Sequence, residues 1–443
     1  MNPGDTVVLT IEAVAHGGHC VARHDGQVIF VRHTLPGEQV EAVITRRGKG
    51  GRMLFADALE VLTPSADRVT PPCPHAGPSR CGGCDWQHVA VPAQRELKAA
   101  VLREQLTRLG GLAEVAGVPL ADAVTVSAVA GDQDGLGWRT RVTYAVAPDG
   151  VAGLRRNHSH VVEPVTHCRI AHPAVVATGV TSKRWDGYEA VSVTASAAGD
   201  RVVVLDPMPP TGDRRAGRDA LDGLSGDVSL PGFRGRRWVL EQAAGREWRV
   251  DGAGFWQVHP GAADTLVAAV RRMLDPQPGE HLLDLYSGVG LFAGSLAAAL
   301  GSTGRIDAVE LSSQAVRDAR RNLHDLPIVR LHESGVEEWL IAQAPDPLLG
   351  ENDDVGVNLV VLDPPRSGAG EQVMRSLAAL RPRAIAYVAC DPAALARDLR
   401  TATELGLQVA AIEAYDLFPM THHLETVALL VPGLIAGPLF PAN

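Results

Sequence analysis

Residues 282–290 have the sequence Leu-Leu-Asp-Leu-Tyr-Ser-Gly-Val-Gly, an apolar run followed by two glycines one residue apart. The run predicts a buried strand, and Gly288 and Gly290 allow a tight turn into a helix that begins near Leu291. About 20 residues later Glu310 follows a second apolar run, where a carboxylate can accept hydrogen bonds from a ribose. The stretch therefore predicts a nucleoside-binding loop at the edge of a parallel sheet.

The same alternation of strands and helices continues towards the C-terminus. Apolar strands are predicted at residues 305–309, 359–362 and 384–388, and the predicted helices are 262–274, 313–323, 370–380 and 393–404. Such alternation is typical of a doubly wound, Rossmann-like α/β domain. We assign it to residues 251–443.

Two further domains are predicted upstream. Residues 1–63 contain short alternating strands separated by Gly and Asp turns, which indicate a small OB-like β-barrel. Residues 64–250 begin with a segment rich in Pro, Gly and Cys and continue into a strand-rich region. We interpret them as a central domain that carries a cysteine cluster.

The net charge of the 443-residue chain is −10, which taken alone argues against a nucleic-acid partner. The positive charge is almost entirely arginine, however, and arginine binds phosphate as a fork and stacks on bases. No apolar run approaches the ~20 residues of a membrane helix, and the first residues lack a signal-peptide pattern. We therefore expect a cytoplasmic protein without a membrane partner, and we expect it to act as a monomer.

Three of the six cysteines, Cys73, Cys81 and Cys84, lie close together in the sequence. In a reducing compartment this spacing indicates a metal site rather than disulfides. Cys168 is the candidate for the fourth ligand, because the two remaining cysteines belong to the barrel and the C-terminal domain. Four thiolates suit either zinc or a 4Fe–4S cluster, and the single Cys-x-x-Cys turn with a distant fourth cysteine favours the cluster.

The glycine loop favours one nucleoside cofactor over another. A dinucleotide would require a third glycine against the pyrophosphate, and Phe292-Ala293 fill that place here. S-adenosylmethionine has no phosphate. The loop therefore favours S-adenosylmethionine over NAD.

Two strand ends carry reactive side chains: Asp363, in the sequence Asp-Pro-Pro-Arg, and Cys390, in the sequence Cys-Asp-Pro. Ligands bind at this edge of a parallel sheet, so both side chains are expected in one cleft. Enzymes that methylate an exocyclic adenine nitrogen usually carry an aromatic residue after Pro-Pro. Arg366 stands there instead, which argues against amino-group methylation.

A thiolate, an acid and a methyl donor suit methylation of a pyrimidine carbon. A thiolate at C6 of uracil makes C5 nucleophilic, C5 takes the methyl group, a base removes the C5 proton, and the thiolate leaves. Cys390 is the predicted nucleophile and Glu425 the predicted base, with His422 and His423 as alternatives. The target nucleotide must be extruded from its stack to reach them.

These residues resemble the RNA uracil-5 methyltransferase family over essentially the whole chain, and the barrel is similar to a TRAM domain, an OB-like RNA-binding module. The resemblance implies methylation of a uridine in structured RNA, with tRNA and ribosomal RNA both open as substrates. It implies these roles: donor binding by Gln257, Tyr286, Gly288, Gly290, Glu310 and Asp363; 4Fe–4S ligation by Cys73, Cys81, Cys84 and Cys168; RNA contact by Arg139, Arg141 and His160; catalysis by Asp363, Cys390 and Glu425. Arg155, in an arginine-containing stretch at 154–160, is a further expected RNA contact.

Departures from the family pattern flank the catalytic residues. Asp391 replaces a frequent Asn and Met420 a frequent Gln, while Ser287 and His259 stand where Cys and Asn are common. Two other functions remain open. RNA cytosine-5 methylation would be expected to use an extra Cys beside the Asp-Pro-Pro motif, which is not there, and a non-catalytic RNA-binding module would not need Cys390 and Glu425.

Overall fold

The computed structural model of the chain describes residues 1–132, 134–207, 227–229, 236–343 and 356–433. The predicted C-terminal limit of the third domain, residue 443, lies outside these ranges. Within them, no helix combines the length and the apolar character needed to cross a lipid bilayer.

The N-terminal strands close into a five-stranded barrel in the order β1-β2-β3-β5-β4, which confirms the predicted barrel. Alternate side chains, such as Leu9 and Ile11, point inward and are buried. The strands are β1 (Thr6–Val14), β2 (Cys20–His24), β3 (Gln27–Arg32), β4 (Gln39–Arg47) and β5 (Met53–Thr63), with a short 3-10 turn at Lys49–Gly51.

The central region is built around a sheet with the strand order β11-β10-β9-β12-β13-β14, as the strand-rich sequence predicts. One long helix, α1, precedes that sheet. The elements are α1 (Val91–Arg108), β6 (Glu114–Val115), β7 (Val118–Pro119), α2 (Leu120–Ala123), β8 (Val126–Ser127), β9 (Arg141–Val146), β10 (Ala152–Arg155), β11 (Val162–Pro164), α3 (Pro173–Val176), a 3-10 turn at Val180–Ser182, β12 (Tyr188–Ala195), β13 (Arg201–Pro207), β14 (Asp227–Ser229), β15 (Trp238–Ala243) and β16 (Arg246–Asp251).

The C-terminal domain is a mainly parallel sheet flanked by helices, and the predicted doubly wound Rossmann-like α/β fold is confirmed. Its strand order is β19-β18-β17-β20-β21-β23-β22, and β8 of the central region extends the far edge. The elements are α4 (Ala262–Leu274), β17 (His281–Leu285), α5 (Leu291–Leu300), β18 (Arg305–Glu310), α6 (Ser313–Asn322), β19 (Val329–Glu333), α7 (Val336–Ala342), β20 (Leu359–Leu362), α8 (Glu371–Leu380), β21 (Ala384–Ala389), α9 (Pro392–Glu404), β22 (Leu407–Tyr415) and β23 (Glu425–Pro432).

Two features of this sheet position the site. The strand order reverses between β17 and β20, and ligands of doubly wound sheets bind beside such a switch point. The last strand, β23, runs antiparallel to β21, with Ala389 opposite Thr426. The start of β23 therefore lies beside the end of β21, at the same edge of the sheet.

Helix α1 joins the first domain to the last. Its Lys98 is fully buried and donates to the Asp416 carboxylate at 2.5 Å and to the Phe418 carbonyl at 3.1 Å. Gln94, one turn earlier, accepts from the Met420 amide at 2.7 Å. These bonds hold the loop of residues 416–424, which leads into β23, against a helix more than 300 positions away in the sequence.

Candidate active site

A cavity of about 750 Å³ lies at the switch point of the C-terminal sheet. Loops after β17, β18, β20 and β21 form one side, and the segments 254–258 and 418–425 contribute to the other. It brings together eight of the residues singled out in the sequence: Arg139, Gln257, Tyr286, Gly288, Glu310, Asp363, Cys390 and Glu425.

The glycine loop after β17 shapes the floor of this cavity. Gly288 has a φ of +56° and its amide donates to Glu310 at 2.9 Å, so the loop and the acid after β18 are fixed to each other. Gly290 does not line the cavity. Its φ is +91°, and a Cβ there would meet Leu323 at 2.5 Å, so glycine is required at this position by conformation and by packing.

More carboxyl groups than guanidinium groups line the cavity, and several of the carboxyl groups in and next to it are buried. Burial raises the pKa of Asp363 to about 7, with the charge of Asp284 adding to the rise. Burial also raises the pKa of Asp284 to about 7 and holds that of Glu425 well above its usual value. The hydroxyl of Ser287, in the cavity wall, has no hydrogen-bond partner among the described residues. Such a site favours a cationic ligand that brings its own hydrogen-bond donors.

Cys390 occupies the turn between β21 and α9. Asp391 caps the helix, since its carboxylate accepts from the Ala394 amide at 2.8 Å. Burial raises the pKa of the Cys390 thiol to about 12; the charges of Glu425, Asp363 and Asp391 add to the rise, and the Arg366 guanidinium opposes it. The thiol is therefore neutral in the ligand-free protein and must lose its proton before it can act as a nucleophile.

Glu425 is the first residue of β23 and is 3% exposed. The antiparallel register places it beside Cys390 at the sheet edge. The two alternative bases are arranged differently from each other. His423 lines the cavity near Arg366, at 3.5 Å, whereas His422 Nδ1 lies 2.6 Å from the Asp85 carboxylate, outside the main cavity.

Several groups that support the base were not found by sequence reasoning. They include Gln94, Lys98 and Asp85, which contact the loop of residues 416–424 from other domains. Met420 within that loop has a φ of +66°, a conformation that a non-glycine residue adopts only when its surroundings impose it. The single signal in the sequence was Lys98 itself, one of only three lysines in the chain.

The four predicted cluster ligands lie near one another. Burial raises the pKa of Cys81 to about 11, and the neighbouring Cys168 and Cys73 add to that rise; Cys168 and Cys81 likewise act on Cys84. In the described part of the chain, no group of three or more His, Cys, Asp or Glu side chains is arranged to hold a metal ion. The Cys-x-x-Cys turn also borders the main cavity, through Gly82 and Gly83.

The predicted RNA contacts fall into three different environments. Arg139 lines the cavity, while Arg155 and His160 are exposed outside it. Arg141 faces inward: burial lowers the pKa of its guanidinium to about 10, and it donates to the Gly254 carbonyl. Phe255, which lies next to Gly254 and is 72% exposed at the cavity rim, is a residue that sequence reasoning did not find.

Known proteins resemble the chain along its whole length. Residues 247–432 match the sequence profile of the tRNA (uracil-5-)-methyltransferase family, and residues 2–59 match the TRAM domain. A protein of Streptomyces avermitilis named as an uncharacterized RNA methyltransferase is 49% identical, covering 97% of this chain and 99% of its own. The 23S rRNA (uracil(1939)-C(5))-methyltransferase RlmD of a Shewanella species is 30% identical, covering 95% and 94%.

A solved structure has the same fold. It is the tRNA (uracil-54, C5)-methyltransferase of Pyrococcus abyssi in complex with S-adenosyl-L-homocysteine, with a TM-score of 0.67 at 22% identity. The match covers 96% of this chain and 99% of that one, so the likeness in fold extends over nearly the whole of both chains.

Proposed function

Because the chain belongs to the tRNA (uracil-5-)-methyltransferase family, we propose that it transfers a methyl group from S-adenosylmethionine to C5 of a uridine in RNA. The observation that carries this proposal is the single cavity lined by Cys390, Asp363 and Glu425 together with the glycine loop and Glu310. A thiol, a buried acid and a nucleoside-binding loop within one cavity are the groups that C5 methylation requires.

The acidic character of the cavity supports a cationic donor. When bound, S-adenosylmethionine supplies an electrophilic methyl group on a sulfonium centre. Gln257, Tyr286, Gly288 and Glu310 are positioned to bind it, and the unpartnered Ser287 hydroxyl is free to accept a hydrogen bond. A nearby positive charge would also lower the pKa of Cys390 and Glu425, so both groups would become active only in the loaded site.

The protein residues then carry the reaction in four steps. The Cys390 thiolate adds to C6 of the extruded uracil, and the ring becomes nucleophilic at C5. C5 takes the methyl group, the Glu425 carboxylate removes the C5 proton, and the Cys390 thiolate is eliminated as the C5–C6 double bond returns. The proposed role of Asp363 is to orient the reacting groups in the cleft.

Substitution of the nucleophile and the base should block different steps. Cys390→Ala should abolish methylation and form no covalent RNA complex. Glu425→Gln should add to C6 and transfer the methyl group, then stall, so that an RNA–protein species survives denaturing electrophoresis. Wild-type protein should stall likewise on 5-fluorouridine RNA, because fluorine cannot leave as a cation. Cys20→Ala, at a buried barrel thiol, is the matched control and should methylate normally.

Two results would contradict this mechanism. Methylation by Cys390→Ala at near wild-type rate would exclude the covalent route. Normal turnover by Glu425→Gln would show that another residue is the base. His423 would be the next candidate, because it lines the cavity. Mass spectrometry of RNA nucleosides from a deletion strain would identify the substrate as tRNA or ribosomal RNA, and would separate 5-methyluridine from 5-methylcytidine and from no modification.

A 4Fe–4S cluster held by Cys73, Cys81, Cys84 and Cys168 is a further part of the proposal. Its support is that these four free thiols lie close enough to act on one another in pairs: Cys168 and Cys73 on Cys81, Cys168 and Cys81 on Cys84, and Cys73 on Cys168. A metal centre would deprotonate them. Its proposed role is structural, joining the cysteine-rich segment to the central sheet. Protein purified without oxygen should be brown and contain iron and sulfide, and Cys168→Ser should lose both. Zinc without iron would overturn the cluster.

We also propose three functional units with limits at residues 63/64 and 250/251, acting in the cytoplasm as a monomer. The barrel and the central domain would bind RNA, with Arg139, Arg155 and His160 as contacts. The buried Arg141 would act indirectly, by holding the segment that contains Gln257. Light scattering of the purified protein tests the monomer.

A further inference from the structure

The nucleophile borders a second, smaller cavity that the proposed reaction does not use. This polar cavity of about 90 Å³ lies next to the Cys390 thiol and has one wall from another domain, the barrel residue His16. His16 lies in the loop between β1 and β2, 374 residues before Cys390 in the sequence.

His16 contacts the residue that follows the nucleophile. Its Nε2 lies 3.2 Å from Oδ2 of Asp391, while Oδ1 of Asp391 accepts from the Ala394 amide. One carboxylate thus bridges the barrel and the first turn of α9. Burial acts to raise the pKa of Asp391, but the hydrogen bonds from His16 and Ala394 hold it below its usual value, so the group is a carboxylate.

The barrel loop that carries His16 is also fixed at Gly18. The His16–Asp391 contact is therefore made by a loop whose position is held by a second set of contacts. The Gly18 carbonyl accepts from the Trp86 indole at 3.3 Å, and a Cβ on Gly18 would meet Asp85 at 2.9 Å. Because Gly18 also has a φ of +83°, a larger residue there would be strained and would collide with Asp85. The loop is therefore held closely against the cysteine-rich segment with His16 directed at Asp391.

We propose that His16 is a positioning residue for the nucleophile: from the barrel it fixes the Asp391 carboxylate, and through it the turn that carries the Cys390 thiol. In its protonated form His16 also offsets the negative charge that Asp391 brings next to that thiol. The inference rests on the proposed role of Cys390, but it concerns the thiol itself and can be measured without RNA.

Asp363, Arg366 and Glu425 also act on the Cys390 thiol and must stay unchanged in the test. The titratable side chains of His422 and His423, which line the smaller cavity, and of Asp85, which contacts His422, must stay unchanged too. None of them is substituted below, so a change in thiol reactivity reports on the His16–Asp391 pair.

The test is the pH dependence of Cys390 alkylation by iodoacetamide, followed by peptide mass spectrometry in the absence of RNA and donor. His16→Ala should slow alkylation about three- to fivefold near neutral pH, the size expected of a partly exposed ion pair, and move the profile to higher pH. His24→Ala is the matched control, because His24 is a barrel histidine that faces Asp25 and not the site. It should leave the profile unchanged.

Asp391→Asn separates this role from a general effect on the barrel. Asn keeps the helix cap and removes the charge, so His16→Ala should have no further effect in the Asp391→Asn background. In methylation assays His16→Ala should lower kcat and leave the KM for RNA unchanged.

Three results would overturn the inference. The first is an unchanged alkylation profile in His16→Ala, and the second is an equal fall in alkylation rate when His16→Ala is made in the Asp391→Asn background. The third is a methylation assay in which His16→Ala raises the KM for RNA and leaves kcat unchanged. If the wild-type protein methylated no uridine while the alkylation pattern held, the proposed function would fail and the inference about the thiol would stand.

Discussion

The two sides of the cavity are built in different ways. The donor wall, formed by the loops that carry Gly288, Glu310, Asp363 and Cys390, consists of neighbouring strand ends of one sheet. The acceptor wall, formed by residues 416–425, is a loop held by side chains from helix α1 and from the cysteine-rich segment. The donor wall is therefore a product of local sequence and sheet topology, whereas the acceptor wall depends on contacts between domains.

This difference has a consequence for how each wall responds to substitution. Residues of the donor wall are fixed by strands that are buried on both faces, so their substitution should change chemistry and charge more than position. The residues that support the acceptor wall, Gln94, Lys98 and Asp85, do not line the cavity. Their substitution should therefore change the position of the base and the stability of the domain junction.

The largest effect is expected at the acceptor wall, from Lys98→Met. The substitution leaves the Asp416 carboxylate buried without its cation, and losing one partner of a buried pair costs about 3–5 kcal/mol. Urea unfolding measures the loss. The matched control is Arg400→Met, which breaks an exposed pair with Glu404 and should change the free energy of unfolding by less than about 1 kcal/mol. Equal losses in both variants would show that the buried pair does not hold the wall.

At the donor wall, Asp363→Asn should stabilise the fold while abolishing methylation. Burial raises the pKa of Asp363 from 3.8 to about 7, so the folded protein keeps a proton that the unfolded chain releases. The Asp363 carboxyl therefore leaves the free energy of unfolding unchanged at a pH below the pKa that it has in the unfolded chain. It lowers the free energy of unfolding increasingly as the pH rises from about 4 to about 7. We expect the free energy of unfolding to rise by on the order of 2–4 kcal/mol at pH 8 and not at pH 4.

The same urea measurements, made at pH 4, 6 and 8 without donor, test this prediction. A gain that is equal at all three values would mean that Asn packs better than Asp and that ionisation is not the cause. With saturating S-adenosylmethionine the gain should shrink, because a bound cation offsets the carboxylate.

A smaller effect is expected from Gln94→Leu in the acceptor wall. The side-chain amide of Gln94 accepts from the Met420 amide and donates to the carbonyls of Trp86 and Val89. Leaving a buried polar group unpaired lowers the free energy of unfolding by about 1–3 kcal/mol. Because the substitution displaces the loop that leads to Glu425, kcat should fall. The alkylation rate of Cys390 should not fall, because moving Glu425 away removes one cause of the raised pKa of the thiol. Gln105→Leu, on the same helix, is the control. A fall in the alkylation rate would show that the two walls are not independent.

The smallest effect is expected from Arg155→Gln, outside both walls. Loss of one phosphate contact should flatten the dependence of log K on log[salt] by about one unit without changing kcat. Arg400→Gln, on the exposed face of α9, serves as the control and should leave the slope unchanged. If Arg155→Gln and Arg400→Gln gave the same slope of log K against log[salt], Arg155 would not be an RNA contact.

The donor wall could be predicted from the sequence because it follows from a general property of parallel sheets. An apolar run that ends in Asp284-Leu285-Tyr286 or in Ala389-Cys390 is recognisable as a strand end, and parallel strands bring such ends to one edge. Helix 262–274 and strand 359–362 were predicted with the limits that the structure has, as α4 and β20. The barrel and the doubly wound sheet followed from the same periodicities.

The support of the acceptor wall could not be predicted in this way. Nothing in the spacing of Lys98 and Asp416, or of His16 and Asp391, indicates that they meet, because no periodicity links residues over 300 positions apart. Arg141 illustrates the same limit. The resemblance to the family implied an RNA contact at this residue, yet tertiary packing turns the guanidinium inward, towards the carbonyl of Gly254.

The pairing of β21 with β23 determines which changes in length the chain can tolerate. Ala389 faces Thr426, and this register sets Glu425 beside Cys390. A residue gained or lost in the loop 416–424 would disturb its anchors but leave the register in place. A residue inserted early in β23 would turn each following side chain to the opposite face of the sheet. Insertions and deletions among natural variants of this chain are thus expected to be absent from the strand that begins with Glu425.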